Sequence, residues 1–154
     1  MSHTPKVQLI KATQTPQTTI GIALDTAYLT SLSPGTQPST GIYMIDNRLN
    51  IGSYNEGQME LYTFCYPGDN VSFYAQPIDT QRGDSVSIIG INVSYGNVFG
   101  GSLGAPQPTD NAAYWIGRAI NSGRQTYQVQ VLITDENHNV YVINWDPFIQ
   151  TVGS

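Results

Sequence analysis

Charge is what this chain has least of. Charged side chains make up 11% of its 154 residues, against the ~25% of an average soluble domain. Only six are basic: Lys6, Lys11, Arg48, Arg82, Arg118 and Arg124. They form no run that could track phosphates, and the net charge is −5, so nucleic acid and anionic membrane surfaces are excluded as partners. A single cysteine, Cys65, excludes an internal disulfide framework. No apolar run approaches the ~18 residues of a membrane-spanning helix. The segment Met1-Ser2-His3-Thr4-Pro5-Lys6 lacks the basic and then apolar pattern of a signal peptide, and a cytoplasmic location is the expectation. Helical periodicity is almost missing as well. One short turn over Asp25–Thr30, capped by Asp25, is the exception.

A period of two is there instead. Ile20, Ile22 and Leu24 alternate with smaller residues, as do Ile89, Ile91, Val93 and Tyr95, and Tyr127, Val129, Val131 and Ile133. Alternation sends one set to a buried face and the other outward. The pattern predicts strands at Val7–Ala12, Thr19–Leu24, Gly41–Asp46, Gln58–Tyr66, Asn70–Gln76, Ser85–Tyr95, Ala113–Ile120, Thr126–Thr134 and Val140–Trp145. Pro67-Gly68-Asp69-Asn70 reads as a turn, and Asp135–Asn139 as a five-residue hairpin loop. The expected fold is all-β: a single-domain antiparallel β-sandwich, jelly-roll-like, of eight or nine strands with little helix. Residues 19–154 form the sandwich, and 1–18 are an N-terminal extension belonging to the same fold.

Residues able to do chemistry are few, and each has a simpler use. His3 lies near a terminus and His138 at the hairpin tip, neither on the rigid support a general base needs. Cys65 sits inside a strand without a visible cation, which suits a buried small hydrophobe rather than a nucleophile. No Cys/His cluster suggests zinc. Asp135-Glu136-Asn137 with Asn139, and Asp110-Asn111, offer oxygens of the kind calcium takes. Turn formation accounts for both groups better, so no cofactor is expected. Eleven scattered carboxylates point to no particular glycosidase pair. Arg82-Gly83-Asp84 matches an adhesion tripeptide but also makes a natural turn. Asn92-Val93-Ser94 is a glycosylation sequon placed mid-strand. The long Gly96–Asn111 loop is the best candidate for binding. Asp110 and Asn111, with Tyr114 and Trp115 beside them, make a carbohydrate site the second functional expectation, since aromatic rings stack on sugar faces while polar edges bond hydroxyls. Few charges and abundant neutral polar groups favour the first expectation, a non-enzymatic protein that associates with its own copies.

Several segments resemble one known family. Tyr127-Gln128-Val129-Gln130, a hairpin and then Trp145-Asp146-Pro147 are similar to the end of the bacterial inclusion-body proteins, the family of PixA and AidA. Ile22–Leu29 resembles that family's opening strand with its Asp-Thr turn, and Tyr43-Met44 and Tyr114-Trp115 fall in similar places. The resemblance implies a β-sandwich, cytoplasmic inclusions, self-association, a part in host interaction and no catalysis. Asp25, Tyr127, Trp145, Asp146 and Pro147 would be structural. Trp145 packs at the end of the sandwich, and Pro147 forces extended backbone on Asp146 and stops the strand.

Overall fold

A computed structural model describes residues 17–109 and 114–152. Among the described residues ten strands form: β1 (Thr18–Leu24), β2 (Ile42–Asp46), β3 (Tyr62–Cys65), β4 (Asn70–Pro77), β5 (Ser85–Gly96), β6 (Gln107–Pro108), β7 (Trp115–Arg118), β8 (Arg124–Thr134), β9 (Val140–Trp145) and β10 (Phe148–Thr151). One sheet has the order β2-β1-β4-β7-β6. The other runs β3-β10-β8-β5, with β9 also paired to β8. The predicted strand Val7–Ala12 and most of the 1–18 extension lie outside the described residues.

The all-β, two-sheet expectation holds. Its strands pair mainly antiparallel, but β1 with β4 and β3 with β10 are parallel. Chain order explains this: β3 crosses to the second sheet before β4 returns beside β1. Such a crossing provides the length a parallel connection requires. Alternation then fills the space between the sheets. Ile20, Ile22, Leu24, Ile42, Met44, Val71 and Phe73 point inward from the first, and Ile91, Tyr127, Val129, Val131, Ile133 and Ile149 from the second, all buried. Phe73 meets Tyr127 edge-on across the gap, with ring centroids 5.5 Å apart.

Local chemistry sets the connections. Tyr66-Pro67-Gly68-Asp69 turns with Asp69 N donating to Tyr66 O at 3.0 Å. Proline suits the second position, and glycine takes the positive φ of 92° at the third. The one α-helix among the described residues, α1 (Thr26–Ser31), is the turn expected of Asp25, whose carboxylate accepts Tyr28 N at 3.1 Å. Asp25→Ala should therefore cost about 1 kcal/mol. Urea unfolding would check this, and an unchanged midpoint would mean that water caps the helix as well as Asp25 does.

Trp145-Asp146-Pro147 behaves differently from the expected terminator. β9 does stop at Trp145, but the chain resumes two residues later as β10 on the same side of β8. Pro147 has no N–H for the ladder, yet its carbonyl still accepts Tyr127 N at 3.2 Å. The proline makes a jog in a nearly continuous strand and frees β10 to take β3 as a second neighbour.

Candidate functional site

The Gly96–Asn111 loop is anchored in the core at Val98, Phe99, Gly104 and Pro106, while Gly101–Leu103 and Gln107–Pro108 are exposed. Val98 and Phe99 are fully buried. Gln125, also buried, accepts Phe99 N at 3.0 Å and donates to the carbonyls of Ser94 and Gly96. Gly96 has φ 116°, and a Cβ there would fall 2.0 Å from Arg124 O, so only glycine fits. Trp115 is half-buried, and its indole donates to Ile88 O at 3.2 Å, pinning the first sheet to the second. Tyr114 is exposed. Asp110 and Asn111 lie outside the described residues.

The other sequence candidates divide clearly. Tyr127 is fully buried, and burial pushes its phenol far above the usual range. Its hydroxyl has no hydrogen-bond partner. Trp145 donates from its indole to Met44 Sδ at 3.1 Å, tying the sheets together. Burial, then the Asp69 carboxylate, push the Cys65 thiol up to about 12, so it stays protonated and inert. His138 occupies the exposed hairpin tip with φ 65°. In that hairpin Asp135 Oδ1 accepts Asn137 N and Asn139 N, and Oδ2 accepts Asn139 Nδ2. Turn formation uses the oxygens a cation would need. Among the described residues, no three His, Cys, Asp or Glu side chains gather as a metal site would require. Arg82-Gly83-Asp84 closes on itself: Arg82 Nε meets Asp84 Oδ2 at 2.8 Å, and the Asp84 side chain is 1% exposed.

Three clusters were not foreseen. The first is ionic: Asp69 Oδ2 receives Arg48 Nη2 at 2.7 Å, Thr18 Oγ1 at 2.9 Å and Tyr66 N at 3.0 Å. It fastens β1 to the β3–β4 turn.

The second cluster is a pair of acids. Glu56 Oε1 accepts Asp46 N at 2.9 Å. Asp46 Oδ2 and Glu56 Oε2 are buried without a partner. Burial first, with the Asp46 carboxyl beside it, raises Glu56 from 4.5 to about 7. Between pH 4.5 and 7 the folded chain holds a proton that the unfolded chain has released. This contribution to stability is complete below 4.5 and is lost as pH rises through 7. Glu56→Gln imitates the protonated acid, and should match wild type at pH ~5 while melting higher at pH ~8. An identical difference at both pH values would refute the raised Glu56. The acids touch each other and do not flank an open cleft, as a glycosidase pair must.

The third is aromatic. On the outer face of the second sheet Tyr62 stacks on Tyr54 at 4.7 Å and on Phe148 at 5.5 Å. Phe64 leans against Tyr62 at 5.4 Å, and the Arg124 guanidinium lies 5.4 Å from the Phe148 ring. Tyr62 donates to Gln150 Oε1 at 2.6 Å. Tyr54, in the β2–β3 connection, is 48% exposed. Tyr62 and Phe64 share this face because they lie two residues apart on β3. Phe148 and Gln150 come from β10, whose Phe148-Ile149-Gln150-Thr151 also alternates.

Grooves open on the surface of the described residues. One of about 520 Å³ is lined by Pro38, Thr40, Tyr43, Gln58, Met59 and Glu60. Another, about 360 Å³, lies between Leu29–Thr36 and Tyr141–Ile143. Neither contains two acids or an acid with a base.

Residues 16–139 match the profile of a family described as a domain of unknown function, DUF8788. The chain belongs to that family. No curated protein matches this DUF8788 chain. In fold it is similar to the crystal structure of inclusion body protein PixA from Burkholderia cenocepacia J2315. The TM-score is 0.70 at 18% identity, covering 95% of this chain and 100% of that one. At that identity the likeness is one of fold, and it agrees with the resemblance noted in the sequence. The fold positions the DUF8788 charges distinctively. Of the described charged residues only Asp46, Arg118 and Arg124 lie in strands; the rest sit in connections. Asp46 points inward, Arg118 ends β7 and Arg124 begins β8. Among the described residues, the broad outer faces therefore carry little charge beyond Arg118 and Arg124, whose guanidinium lies over the Phe148 ring. Among the described residues no helix is long and apolar enough to cross a membrane.

Proposed function

We propose that this DUF8788 protein is a non-catalytic, inclusion-forming protein that associates with its own copies through the outer faces of its two sheets. The placement of charge carries this reading. Copies with net charge −5 repel where their acidic loops meet, and approach most easily where neither surface bears charge. Uncharged faces also avoid the cost of stripping water from ions. Two such faces on opposite sides permit growth beyond a pair, because one self-complementary contact closes a dimer and a second extends it. The likeness to an inclusion body protein supports the same reading. Size-exclusion chromatography with light scattering over a wide concentration range tests it. A mass that climbs with concentration is expected, and a strict monomer throughout would defeat it.

A second reading, carbohydrate binding, is favoured by Tyr54. Its half-exposed ring ends a three-ring stack beside the Gln150 amide, an arrangement suited to stacking on a sugar face. A glycan array, run with and without calcium, should give hits that Tyr54→Ala removes. An array without selective hits would end this reading.

A further inference from the structure

We propose that the outer face of the β3-β10-β8-β5 sheet binds a neutral polysaccharide laid across the strands, several sugar units at a time; this rests on the carbohydrate reading and names its ligand and its track. Register builds the track. Tyr54 pairs with Tyr62, Tyr62 lies beside Phe148, and Phe148 lies beside Thr126. Ser94 on β5 continues the row, its hydroxyl donating to Thr126 O at 3.0 Å. The ring centroids are 4.7 and 5.5 Å apart, close to the ~4.8 Å spacing of neighbouring strands. Three rings and then two hydroxyls therefore run straight across the sheet. Amides flank this row. On one side the Tyr62 hydroxyl donates to Gln150 Oε1. On the other, Asn92 Nδ2 donates to Gln128 Oε1 and Gln130 Oε1, both at 3.3 Å. Each glutamine is thus oriented through its carbonyl, and among the described residues its NH2 group has no protein partner.

The chemistry of the face selects its occupant. A sugar ring has an apolar C–H face for an aromatic side chain, and hydroxyls that both donate and accept, as amides do. A chain of such rings can cover the aromatic stack while its hydroxyls take up the waiting NH2 groups. An apolar protein surface would bury those amides without partners, which is costly. Length decides between one sugar and many. The row from Tyr54 to Ser94 crosses five lanes, about 19 Å at strand spacing. A single ring on Tyr54 reaches neither Gln128 nor Asn92, whereas a chain meets rings and amides together. Charge decides between neutral and acidic chains. The protein carries a net −5, which repels a polyanion. Arg124, the cation in these strands, is engaged over the Phe148 ring, 5.4 Å from its centroid. Glu60 is turned to the groove it shares with Pro38 and Thr40, so it does not interrupt the track.

Binding of the full chain to arrayed glucose, mannose and galactose oligosaccharides, from one unit to six, with uronic acid oligomers alongside, tests the assignment. At least one neutral series should bind, with the hexasaccharide signal at least tenfold above that of the single sugar. Tyr54→Ala and Gln128→Ala, on lanes about 14 Å apart, should each lower the hexasaccharide signal at least fivefold. Tyr43→Ala on the opposite sheet should leave it unchanged. Melting curves check that each variant folds, and Ser94→Ala replaces Gln128→Ala if the loss of Asn92's acceptor lowers the melting temperature markedly. Equal signals for one unit and six, or a hexasaccharide signal that Gln128→Ala leaves intact, would overturn the track while leaving a sugar site at Tyr54. Binding confined to the uronic acid series would overturn the neutral ligand but not the carbohydrate reading. No binding in any series would overturn that reading itself.

Discussion

Truncating Phe99 to alanine is expected to lower the unfolding free energy by about 3–5 kcal/mol, the range for a fully buried aromatic ring. The residue lies in a Gly- and Pro-rich stretch that composition marks as a surface loop. In the structure its ring is fully buried and its backbone N–H is held by the buried Gln125 side chain. Removing the ring leaves a cavity at the end of the core. The tight glycine contacts at Gly96 and Gly104 limit how far the loop can collapse into it. Urea denaturation measures the effect. A loss below about 1 kcal/mol would mean that the Phe99 ring does not anchor this segment in the core.

The second large effect belongs to Asp69. Asp69→Ala should cost about 3–5 kcal/mol, because it strands a half-enclosed guanidinium instead of removing an ion pair cleanly. The Arg48 and Asp69 side chains are only 15% and 9% exposed. Tyr66 N and Thr18 Oγ1 also lose their acceptor. Asp69→Asn keeps the shape and one oxygen, and should recover part of the loss. Equilibrium unfolding of the two variants distinguishes the contributions. If alanine and asparagine were equally harmful, the charge would be the essential feature. If both cost under about 1 kcal/mol, the pair would be behaving as an exposed surface bridge.

Sequence made some of this legible and hid the rest for physical reasons. Strands β1, β8 and β9 were visible because each has one face in the core, so alternation follows burial directly; in β5, register shifts at Ile88/Gly90 and Val93/Gly96 break the expected Ile89, Ile91, Val93, Tyr95 alternation and leave Ile89 and Tyr95 exposed. Asp25 and the Pro67-Gly68 turn were visible because their chemistry is local. The predicted Gln58–Tyr66 strand shrank to Tyr62–Cys65. Gln58 is instead drawn to Met44 on the first sheet, a contact no local pattern encodes. β10 was missed because Pro147 looked like an ending, and the role of its carbonyl depends on β8 lying alongside. Asp46 and Glu56 meet across ten residues of irregular chain, and Arg48 meets Asp69 across twenty-one. Neither pairing leaves a trace in spacing. The uncharged faces were half legible: composition showed that charge was scarce, but only the fold showed that nearly all of it lies in the connections.

Salt dependence tests the central claim most directly. Static light scattering of the full chain from about 0.02 M to about 0.5 M salt spans a range over which repulsion between acidic loops goes from long-ranged to largely screened. If uncharged sheet faces hold the copies together, apparent mass should rise with salt as that repulsion is removed. An apparent mass that falls with salt would show that ion pairs, not neutral faces, make the contact.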